Sequence, residues 1–427
     1  MDIKELHRVF LNSNGVCTDT RHLKKKQLFF ALKGDSFDGN KYALNAIKNG
    51  ANYAVIDDPS ISHNQTILVN DVLETLQKLA TFHRNYLNIP IISLTGSNGK
   101  TTTKELIHLV LSAKYNCKAT SGNFNNHIGV PITLLSMNAE TEIGVVEMGA
   151  NHLHEIALLS EIAQPNFGYI TNIGKAHLEG FGSEENILIG KTELYRFLDK
   201  TEGTIFGNIE DPVLSEKSKN SKAIYFSNTQ NSDYKIEFIE ANPFVKVTTA
   251  NIEIASNLIG DYNYTNIAAS IAIGLHFGVD LKAIKHAIQH YTPTNNRSQL
   301  VTTKTNKLVL DAYNANPSSM LAAIQNFEKT NTKKTKNIAI LGDMFELGPY
   351  AKKEHQKIIT YLENSKIDKV LLAGSHFFEC KTTSSKISFF ENTADLIFHI
   401  KSKPILNASI LIKGSRGMKL EQTTAYL

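Results

Sequence analysis

Two kinds of hydrophobic pattern alternate along the chain. Short apolar runs, typical of buried strands, are followed by stretches in which apolar residues recur at every third or fourth position, as on one face of a helix. The clearest example is the apolar run at 91–94, which precedes a predicted helix in which Leu106 and Val110 share a face. Strands that alternate with helices indicate an α/β protein with parallel sheets.

This pattern divides the chain into three predicted domains. Residues 1–88 have the short strands and helices of a small α/β domain, and the Asn-Ile-Pro sequence at 88–90 interrupts the pattern before the next strand. Residues 89–296 form the predicted central domain with a parallel sheet. Residues 297–427 repeat the alternation of strand and helix, which predicts a doubly wound C-terminal sheet.

Two regions refine this picture. Short, partly alternating apolar runs at 203–256 predict a mainly antiparallel extension of the central sheet. In the C-terminal domain, predicted strands end close to Asp311, Asp343 and the turn at 413–417. Because the carboxyl ends of parallel strands meet at the same edge of a sheet, we expect these polar groups along one rim.

The composition is that of a globular protein, with 427 residues, 42% hydrophobic and 20% charged. No apolar run reaches the ~18 residues of a membrane-spanning helix, and the N-terminal segment lacks a signal-peptide layout. A net charge of +4 does not favour nucleic acid binding, and the lysine runs at 24–26 and 333–336 are interpreted as solvated surface. Cys17, Cys117 and Cys380 have neither disulfide nor metal spacing, so we expect a cytoplasmic protein, with no obligate protein partner evident.

The sequence TGSNGKTTT at 95–103 has the strongest chemical signature. It joins the predicted strand to the following helix, where a glycine-rich backbone and a helix N-terminus attract phosphate. Lys100 adds a positive charge, and Thr101 offers a hydroxyl to Mg²⁺. The spacing Gly-x-x-Gly-Lys-Thr is two residues shorter than the general pattern, which indicates a particular subclass. A glycine-rich turn without chemistry is the alternative.

Three further residues are candidates for binding cations. Glu147 ends a predicted strand, where it is either a Mg²⁺ ligand or a salt-bridge partner. His177 lies in a glycine-flanked segment and is either structural or a ligand of a second cation. Lys191 is either a surface lysine or a partner of Glu193.

Polar residues later in the chain are candidates for binding the rest of a nucleotide. Asn263 and Asn266 open a predicted helix and either contact a base or ribose or cap the helix. Arg297, at the second predicted boundary, has the geometry to bind phosphate oxygens. The segment DAYNANP at 311–317 has the asparagines and proline of a turn, but turn formation does not require its Asp and Tyr.

Taken in order, these motifs resemble those of the Mur ligases. The resemblance extends from Asp19 to Glu421 and rests on TGSNGKTTTKE, the Glu147 strand, TNIGKAHLEGFGS, GKTELYR, LIGDYNYTNIAA, NRSQ, DAYNANPSSM, LGDMFELG and KGSRGMKLE. It implies an N-terminal domain for a UDP-sugar, a central ATPase domain and a C-terminal domain similar to a dinucleotide-binding fold. DAYNANPSSM and KGSRGMKLE imply the branch of the family that joins D-alanyl-D-alanine to UDP-N-acetylmuramoyl-tripeptide in peptidoglycan synthesis.

The resemblance also implies a mechanism and residue roles. Amide formation would proceed through an acyl phosphate made from ATP, so that most of the protein's task is positioning and charge neutralisation. Catalytic roles are implied for Lys100, His177 and Lys191. ATP contacts are implied for Gly96, Ser97, Asn98, Gly99, Lys100, Thr101, Thr102, Asn263, Asn266, Arg297 and Asp311. Substrate contacts are implied for Asp19, Thr20, Arg21, Lys33, Asn314, Asn316 and Arg416.

Two Mg²⁺ ions are part of the same implication. Thr101 and Glu147 would hold one ion, and His177 and Lys191 the other. Lys191 matches the lysine that the family carbamylates with CO₂. Tyr262 departs from the family, which often has histidine at this position.

Two other functions are weighed against this one. A relative that adds a single amino acid, such as the tripeptide-forming Mur ligase or folylpolyglutamate synthase, is disfavoured by DAYNANPSSM. A nucleotide-binding regulatory protein would hydrolyse ATP without needing an amine acceptor.

Overall fold

The structure, a computed structural model, describes residues 1–330, 335–380 and 382–427. The lysine run predicted to be solvated at 333–336 therefore begins outside the described residues. Three main sheets follow one another along the chain, and each is layered with helices, which confirms the predicted α/β fold class. Across the described ranges, no helix is both long and apolar enough to cross a membrane.

A small parallel sheet with helices forms the N-terminal part of the chain. Its elements are α1 (Ile3–Leu11), β1 (Val16–Cys17), β2 (Leu28–Phe30), β3 (Lys33–Gly34), β4 (Phe37–Asp38), α2 (Ala43–Lys48), β5 (Tyr53–Ile56), β6 (Thr66–Leu68) and α3 (Val72–Leu87). The strand order is β1-β2-β5-β6, and β3 and β4 form a short hairpin. After α3, Asn88 adopts a left-handed conformation, with φ at 50°, which ends the helix and leads the chain into the next sheet.

A seven-stranded parallel sheet forms the centre of the protein. Its strands and helices are β7 (Ile91–Thr95), α4 (Lys100–Ser112), β8 (Cys117–Ala119), α5 (Gly129–Leu135), β9 (Ile143–Glu147), α6 (Glu155–Ala163), β10 (Phe167–Ile170), α7 (Leu178–Phe181), α8 (Glu184–Lys191), α9 (Glu193–Lys200), β11 (Thr204–Asn208), α10 (Pro212–Ser218), β12 (Ala223–Ser227) and β13 (Tyr234–Lys235). The strand order is β13-β12-β11-β10-β7-β9-β8. Because β7 lies between β9 and β10, the segments that follow these three strands meet at one edge of the sheet.

The predicted antiparallel extension is partly wrong. β11, β12 and β13 pair in parallel and continue the central sheet, with α10 as the crossover between the first two. The antiparallel sheet that follows consists of β14 (Glu237–Ala241), β15 (Phe244–Thr249) and β16 (Ile252–Ile259), and the chain then forms α11 (Tyr264–His276) and α12 (Leu281–His290). Alternation of apolar residues reports which face of a strand is buried, but not the direction of its neighbour, so the pattern did not separate the two arrangements.

A six-stranded sheet forms the C-terminal part. Its elements are β17 (Gln299–Thr302), β18 (Lys307–Asp311), α13 (Pro317–Thr330), β19 (Lys336–Gly342), α14 (Ala351–Glu363), β20 (Lys369–Ala373), α15 (Ser375–Phe378), β21 (Ile387–Phe390), α16 (Thr393–Ser402) and β22 (Ala408–Lys413). The strand order is β17-β18-β22-β19-β20-β21, in which β17 is an antiparallel edge strand and the other pairs are parallel. The edge strands β17 and β21 were not predicted, because each is short and only partly apolar.

The predicted polar rim of this sheet is confirmed. Asp311, at the end of β18, lies opposite Lys413, at the end of β22. The N–H of Ser415 donates a hydrogen bond of 3.0 Å to the carbonyl oxygen of Asp343. The side chain of Asp343 is buried, and its carboxylate accepts hydrogen bonds from the N–H groups of His376 and Phe377. Asp343 therefore has a structural role at the start of α15. The turn at 413–417 beside it remains a candidate for binding a ligand.

Helix α3 fastens the N-terminal part to the central sheet. Arg84, which is buried, donates from Nε to the carbonyl oxygens of Ala163 and Gln164 and from Nη2 to Asn166 Oδ1, at 2.7 Å for the last. These partners lie at the end of α6 and in the turn before β10, so the buried guanidinium of Arg84 binds three acceptors of the central part. The two parts are consequently joined by packing and by directional hydrogen bonds.

We predict that Arg84→Met lowers the free energy of unfolding by about 1–3 kcal/mol. The substitution keeps much of the aliphatic packing but removes the donor to the buried carbonyl oxygen of Ala163 and to the partly buried Gln164 and Asn166. Denaturant unfolding followed by circular dichroism measures the change. Arg8→Met, on an exposed position of α1, is the control and should change stability by less than about 0.5 kcal/mol. Equal effects of the two substitutions would contradict the role assigned to Arg84.

Candidate active site

The segment between β7 and α4 wraps closely around its neighbours. Gly96 has φ at 144°, and a Cβ atom there would lie 2.0 Å from Thr171 Oγ1. Gly99 has φ at 79°, and a Cβ atom there would lie 2.6 Å from Asn266 Oδ1. Both positions therefore need glycine for conformation and for space. Gly99 immediately precedes α4. The N–H groups in the first turn of α4 lack intrahelical partners and face the cavity described below.

Residues after β10 hold the backbone of this loop. Asn98 N donates to Asn172 Oδ1 at 3.0 Å, and Thr171 Oγ1 donates to the carbonyl oxygen of Asn98 at 2.6 Å. Ser97 Oγ exchanges hydrogen bonds with the backbone of Gly174, at 2.9 and 3.0 Å. The loop is thus preorganised by its own domain, which reduces the ordering that a bound phosphate would have to induce.

Lys100 is the first residue of α4 and its ammonium lies against the loop. Nζ donates to the carbonyl oxygen of Gly96 at 2.7 Å. Burial lowers the pKa of Lys100, and the negative charge of Glu147 opposes that shift. The positive charge is therefore held where an anionic ligand would stabilise it.

Glu147 is a buried carboxylate with one unpaired oxygen. Its side chain is 1% exposed at the end of β9, and Oε1 accepts hydrogen bonds from Thr101 Oγ1 at 3.2 Å and from Asn125 Nδ2 at 2.8 Å. Oε2 has no hydrogen-bond partner among the described residues. A buried carboxylate oxygen beside a hydroxyl and a phosphate-binding loop suits a hard divalent cation, so these residues fit Mg²⁺. No salt-bridge partner of Glu147 is found in the described part of the chain.

His177 contacts the C-terminal part of the chain. It adopts a left-handed conformation, with φ at 57°, and its Nδ1 lies 2.5 Å from Glu346 Oε2. This contact lowers the pKa of Glu346. The described residues contain no group of three or more His, Cys, Asp or Glu side chains that could hold an ion by themselves. A cation at this site would need further ligands, such as the phosphate oxygens and waters that Mg²⁺ commonly keeps.

Lys191 is a buried lysine, so the interpretation as a surface residue is wrong. It is 1% exposed, and Nζ donates to the carbonyl oxygen of Ala150 at 3.0 Å. Burial and the positive charge of Lys100 place the pKa of Lys191 well below its ordinary value. The alternative partner, Glu193, instead accepts hydrogen bonds from backbone N–H groups at the start of α6. Burial thus favours the neutral amine of Lys191 over its ammonium form.

Asn263 is the N-cap residue of α11 but its side chain makes no capping hydrogen bond, and Asn266 lies inside the helix, so the side chains of these asparagines do not serve as caps. Asn263 Nδ2 donates to the carbonyl oxygen of Ile259 at 2.8 Å, and Asn266 Nδ2 donates to Asn263 Oδ1 at 2.7 Å. Thr103 Oγ1 donates to Asn266 Oδ1 at 3.0 Å. The two asparagines therefore link α11 to α4 and to the phosphate loop. The hydroxyl of Tyr262, which precedes Asn263, forms a hydrogen bond of 2.8 Å with Ser298 Oγ.

Asp311 is held by two partners at the polar rim of the C-terminal sheet. Lys413 Nζ donates to its Oδ2 at 2.6 Å, and Ser298 N donates to its Oδ1 at 3.1 Å. Lys413 is 2% exposed and also donates to the carbonyl oxygen of Asn314. The buried ion pair fixes the turn that follows β18, and the remaining carboxylate lone pairs are the ones available to a ligand.

Tyr313 is a platform for two arginines. The Cζ atom of Arg297 lies 3.7 Å from the centre of the Tyr313 ring, and that of Arg416 lies 5.1 Å from it. Arg297 Nε is buried without a hydrogen-bond partner in the described residues. Stacking on an aromatic face orients a guanidinium while leaving its N–H groups free for an anion. This explains the tyrosine that turn formation did not require.

These elements enclose one cavity of about 1050 Å³ between the central and C-terminal sheets. Its wall includes the following predicted residues: Ser97, Asn98, Gly99, Lys100, Thr101, Thr102, Glu147, His177, Asn263, Asn266, Arg297, Asp311, Asn314, Asn316 and Arg416. A space of this size is large enough for a nucleotide-sized ligand. Gly96 and Lys191 are not lining residues, although Gly96 precedes Ser97 in the chain and Lys191 Nζ donates to the carbonyl oxygen of the lining residue Ala150.

The N-terminal candidates do not line this cavity. Arg21 and Asp19 form an ion pair of 2.6 Å, and hydrogen bonds from Arg21 lower the pKa of Asp19 to about 2. Thr20 lies between them in a helical turn, and Lys33 pairs with Asp57 at 2.8 Å. Asp19, Arg21 and Lys33 therefore have their partners within the N-terminal part of the chain.

Two residues of the site, Asn125 and Glu346, were not predicted from sequence, and Lys413 was predicted only as part of the rim turn, without its partner Asp311. Asn125 binds Glu147, Lys413 binds Asp311, and Glu346 contacts His177. The asparagine-rich segment 123–126 was a usable signal for the first, since it precedes α5 beside the strand of Glu147. The other two depend on contacts between distant parts of the chain, which spacing does not reveal.

Comparison with known proteins gives consistent matches over the whole chain. Three family models match: Mur ligase family, catalytic domain, at residues 12–90; Mur ligase middle domain, at 94–274; and Mur ligase, glutamate ligase domain, at 296–416. UDP-N-acetylmuramoyl-tripeptide–D-alanyl-D-alanine ligase of Bacillus subtilis (strain 168) is 36% identical over 96% of this chain and 92% of its own. The crystal structure of MurF from Acinetobacter baumannii is 30% identical, with a TM-score of 0.85 over 96% of this chain and 92% of that one. MurF ligase from Thermotoga maritima, in complex with ADP, is 25% identical, with a TM-score of 0.84 over 98% and 97% of the two chains.

We predict that Glu147→Gln keeps the stability of the protein but loses metal-dependent nucleotide binding. The amide oxygen still accepts from Thr101 and Asn125, but the unpaired negative charge is gone. Without divalent cation, the Tm should equal or exceed that of the unsubstituted protein. The rise in Tm produced by ADP with Mg²⁺ should be largely lost, as measured by differential scanning fluorimetry. Glu140→Gln, on the surface, is the control. A full Mg²⁺-dependent rise in Glu147→Gln would exclude the metal role.

Proposed function

Because the chain belongs to the Mur ligase family, we propose that it joins D-alanyl-D-alanine to UDP-N-acetylmuramoyl-tripeptide in an ATP-dependent reaction. The product is the pentapeptide precursor of peptidoglycan, which serves cell wall synthesis. One observation carries this proposal: the phosphate loop, an unpaired buried carboxylate and the polar rim of the C-terminal sheet share one cavity of about 1050 Å³. Relatives with this activity match the chain along nearly its full length.

The first stage activates the tripeptide. A terminal carboxylate oxygen attacks the γ-phosphorus of ATP, the bond from that phosphorus to the β,γ-bridging oxygen breaks, and ADP leaves with an acyl phosphate formed. Lys100 and the N–H groups at the start of α4 bind the β- and γ-phosphates and neutralise the charge that develops on them. Asn263, Asn266, Arg297 and Asp311 hold the remainder of the nucleotide. Two anions react here, so positive charge and positioning are the protein's main contribution.

The second stage forms the amide bond. The neutral amine of D-alanyl-D-alanine attacks the carbonyl carbon of the acyl phosphate, giving a tetrahedral intermediate. The bond from carbon to the phosphate oxygen then breaks, phosphate leaves, and the nitrogen loses a proton. Asn314 and Arg416 are the candidates for binding the dipeptide, because they project from the C-terminal turns into the cavity.

Metal ions fit two places in this scheme. Thr101 and Glu147 would hold one Mg²⁺, and His177 with a carbamylated Lys191 a second. Bound Mg²⁺ would screen the repulsion between the carboxylate and the phosphate oxygens. The support is chemical: Glu147 has an unpaired buried oxygen, and Lys191 is a buried lysine with a depressed pKa.

The three predicted domains divide the substrates among them. Residues 1–88 would bind the UDP-sugar, with Asp19, Thr20, Arg21 and Lys33 facing it; residues 89–296 would bind ATP; and residues 297–427 would bind the dipeptide. A long substrate anchored on the first sheet would then extend its peptide end into the cavity. We place the reaction in the cytoplasm because ATP and UDP-linked precursors are available there.

We predict that phosphate release requires D-alanyl-D-alanine. With ATP, Mg²⁺ and UDP-N-acetylmuramoyl-tripeptide, release should be slow until the dipeptide is added, and UDP-N-acetylmuramoyl-pentapeptide should appear by mass spectrometry. Single amino acids, including D-alanine, are the matched control and should support little release. Release that is independent of any amine would indicate an ATP-hydrolysing regulatory protein instead, and release with a single amino acid would indicate one of the other ligases.

We predict that Lys191→Ala loses about 100-fold or more of the ligase activity. Part of the activity should return when a small carboxylic acid such as acetate is added, because it supplies the oxygen ligands that a carbamate would provide. Lys200→Ala, on the exposed end of α9, should keep full activity and show no response to acetate. An active Lys191→Ala protein without acetate would remove the carbamate from the mechanism.

A further inference from the structure

Asn316 connects the C-terminal part of the chain to the phosphate loop. Its Nδ2 donates to Asn98 Oδ1 at 2.7 Å, across the cavity wall. Its Oδ1 accepts a hydrogen bond of 2.9 Å from Ser319 N, and so caps the start of α13. The residue is 6% exposed. Both ends of the amide are therefore engaged within the protein.

Asn98 is suited to receive this contact. Its backbone is held by Asn172 and Thr171, so the conformation of the loop at this point is set by its own domain. Its side-chain oxygen points to the C-terminal part and accepts from Asn316. The side-chain contact is thus separate from the contacts that shape the loop backbone, and a substitution can remove one and keep the others.

A second contact joins the start of α13 to the segment that supports the phosphate loop. Lys175 N donates to Ser318 Oγ at 3.1 Å. A Cβ atom on Gly174 would lie 3.0 Å from that Ser318 oxygen, so the two segments are closely packed. Because Gly174 also exchanges hydrogen bonds with Ser97, the start of α13 rests on the phosphate loop and on the segment that supports it.

We propose that Asn316 is a positioning residue for the phosphate loop, acting through Asn98, and does not contact the dipeptide. It fixes the side chain of Asn98, which the sequence implies as an ATP contact, so that nucleotide binding at the loop depends on the docked position of the C-terminal part. Such coupling is reciprocal: docking strengthens nucleotide binding, and a nucleotide on the loop strengthens docking. The proposal rests on the proposed function for its consequence in catalysis, but the coupling itself concerns nucleotide binding.

The chain offers substitutions that separate this role from helix capping. Serine is as good a cap as asparagine but is too short to reach Asn98, so Asn316→Ser removes the cross-domain hydrogen bond and keeps the cap. Asn316→Ala removes both. Asn98→Ala removes the acceptor and keeps the backbone contacts of the loop. Asn316→Ala should have a lower Tm than Asn316→Ser, whereas both should bind nucleotide equally weakly.

Binding of the ATP analogue AMPPNP with Mg²⁺, measured by calorimetry on the full chain without the other substrates, tests the coupling. We predict that Asn316→Ser and Asn98→Ala each weaken binding by about 3- to 10-fold, the effect expected for one lost hydrogen bond. The double variant should be no weaker than either single variant, because the same contact is removed. In turnover, Asn316→Ser should raise the KM for ATP and leave the KM for D-alanyl-D-alanine unchanged.

Other results would overturn the proposal. Unchanged AMPPNP binding with a raised KM for the dipeptide would make Asn316 a substrate contact. Additive losses in the double variant would show that the two asparagines act independently. If the unsubstituted protein releases no dipeptide-dependent phosphate, the proposed function fails, but the AMPPNP binding cycle still decides whether Asn98 and Asn316 are coupled.

Discussion

Charge balance around the buried carboxylate of Glu147 is the constraint on which the rest of the site depends. This carboxylate has an oxygen without a hydrogen-bond partner among the described residues, at the end of a fully buried strand. A bound nucleotide would add further negative charge at the adjacent loop. Lys100, Arg297 and Arg416, which line the same cavity, supply positive charge that offsets this accumulation of anions, and a divalent cation would add to it. In the proposed reaction a substrate carboxylate attacks a phosphate, and this also brings two anions together. The positive charge that balances Glu147 and the nucleotide would therefore serve the reaction as well.

The cavity exists because two sheets present the carboxyl ends of their parallel strands to each other. The central sheet contributes the segments after β7, β9 and β10, and the C-terminal sheet contributes the turns after β18 and β22. Neither sheet encloses the cavity alone. Contacts such as Glu346 with His177 and Asn316 with Asn98 join the two edges, so the position of the C-terminal part affects groups that bind the nucleotide.

Several site residues are kept in states that do not favour stability. Lys191 is buried with a depressed pKa, Glu147 is incompletely paired, and His177 adopts a left-handed backbone conformation. Each of these states lowers the stability of the fold. Hydrophobic packing elsewhere must offset the loss, and the buried cores on both faces of the central sheet provide such packing. Departures from good local structure that occur in and next to one cavity are typical of functional sites.

Local sequence determined the alternation of strands and helices, the phosphate loop and the residues that end the strands, because these depend on periodicity and on the conformations open to glycine. It therefore predicted Glu147, Asp311 and the rim turn at 413–417. The tertiary structure alone decided the direction of β11 to β13, the burial of Lys191, the contacts of Asn263 and Asn266, and the partners of His177 and Asn316. The reason is physical: strand direction, burial and charge pairing are set by groups far away in the chain, and a local pattern carries no record of which distant group comes to lie beside it.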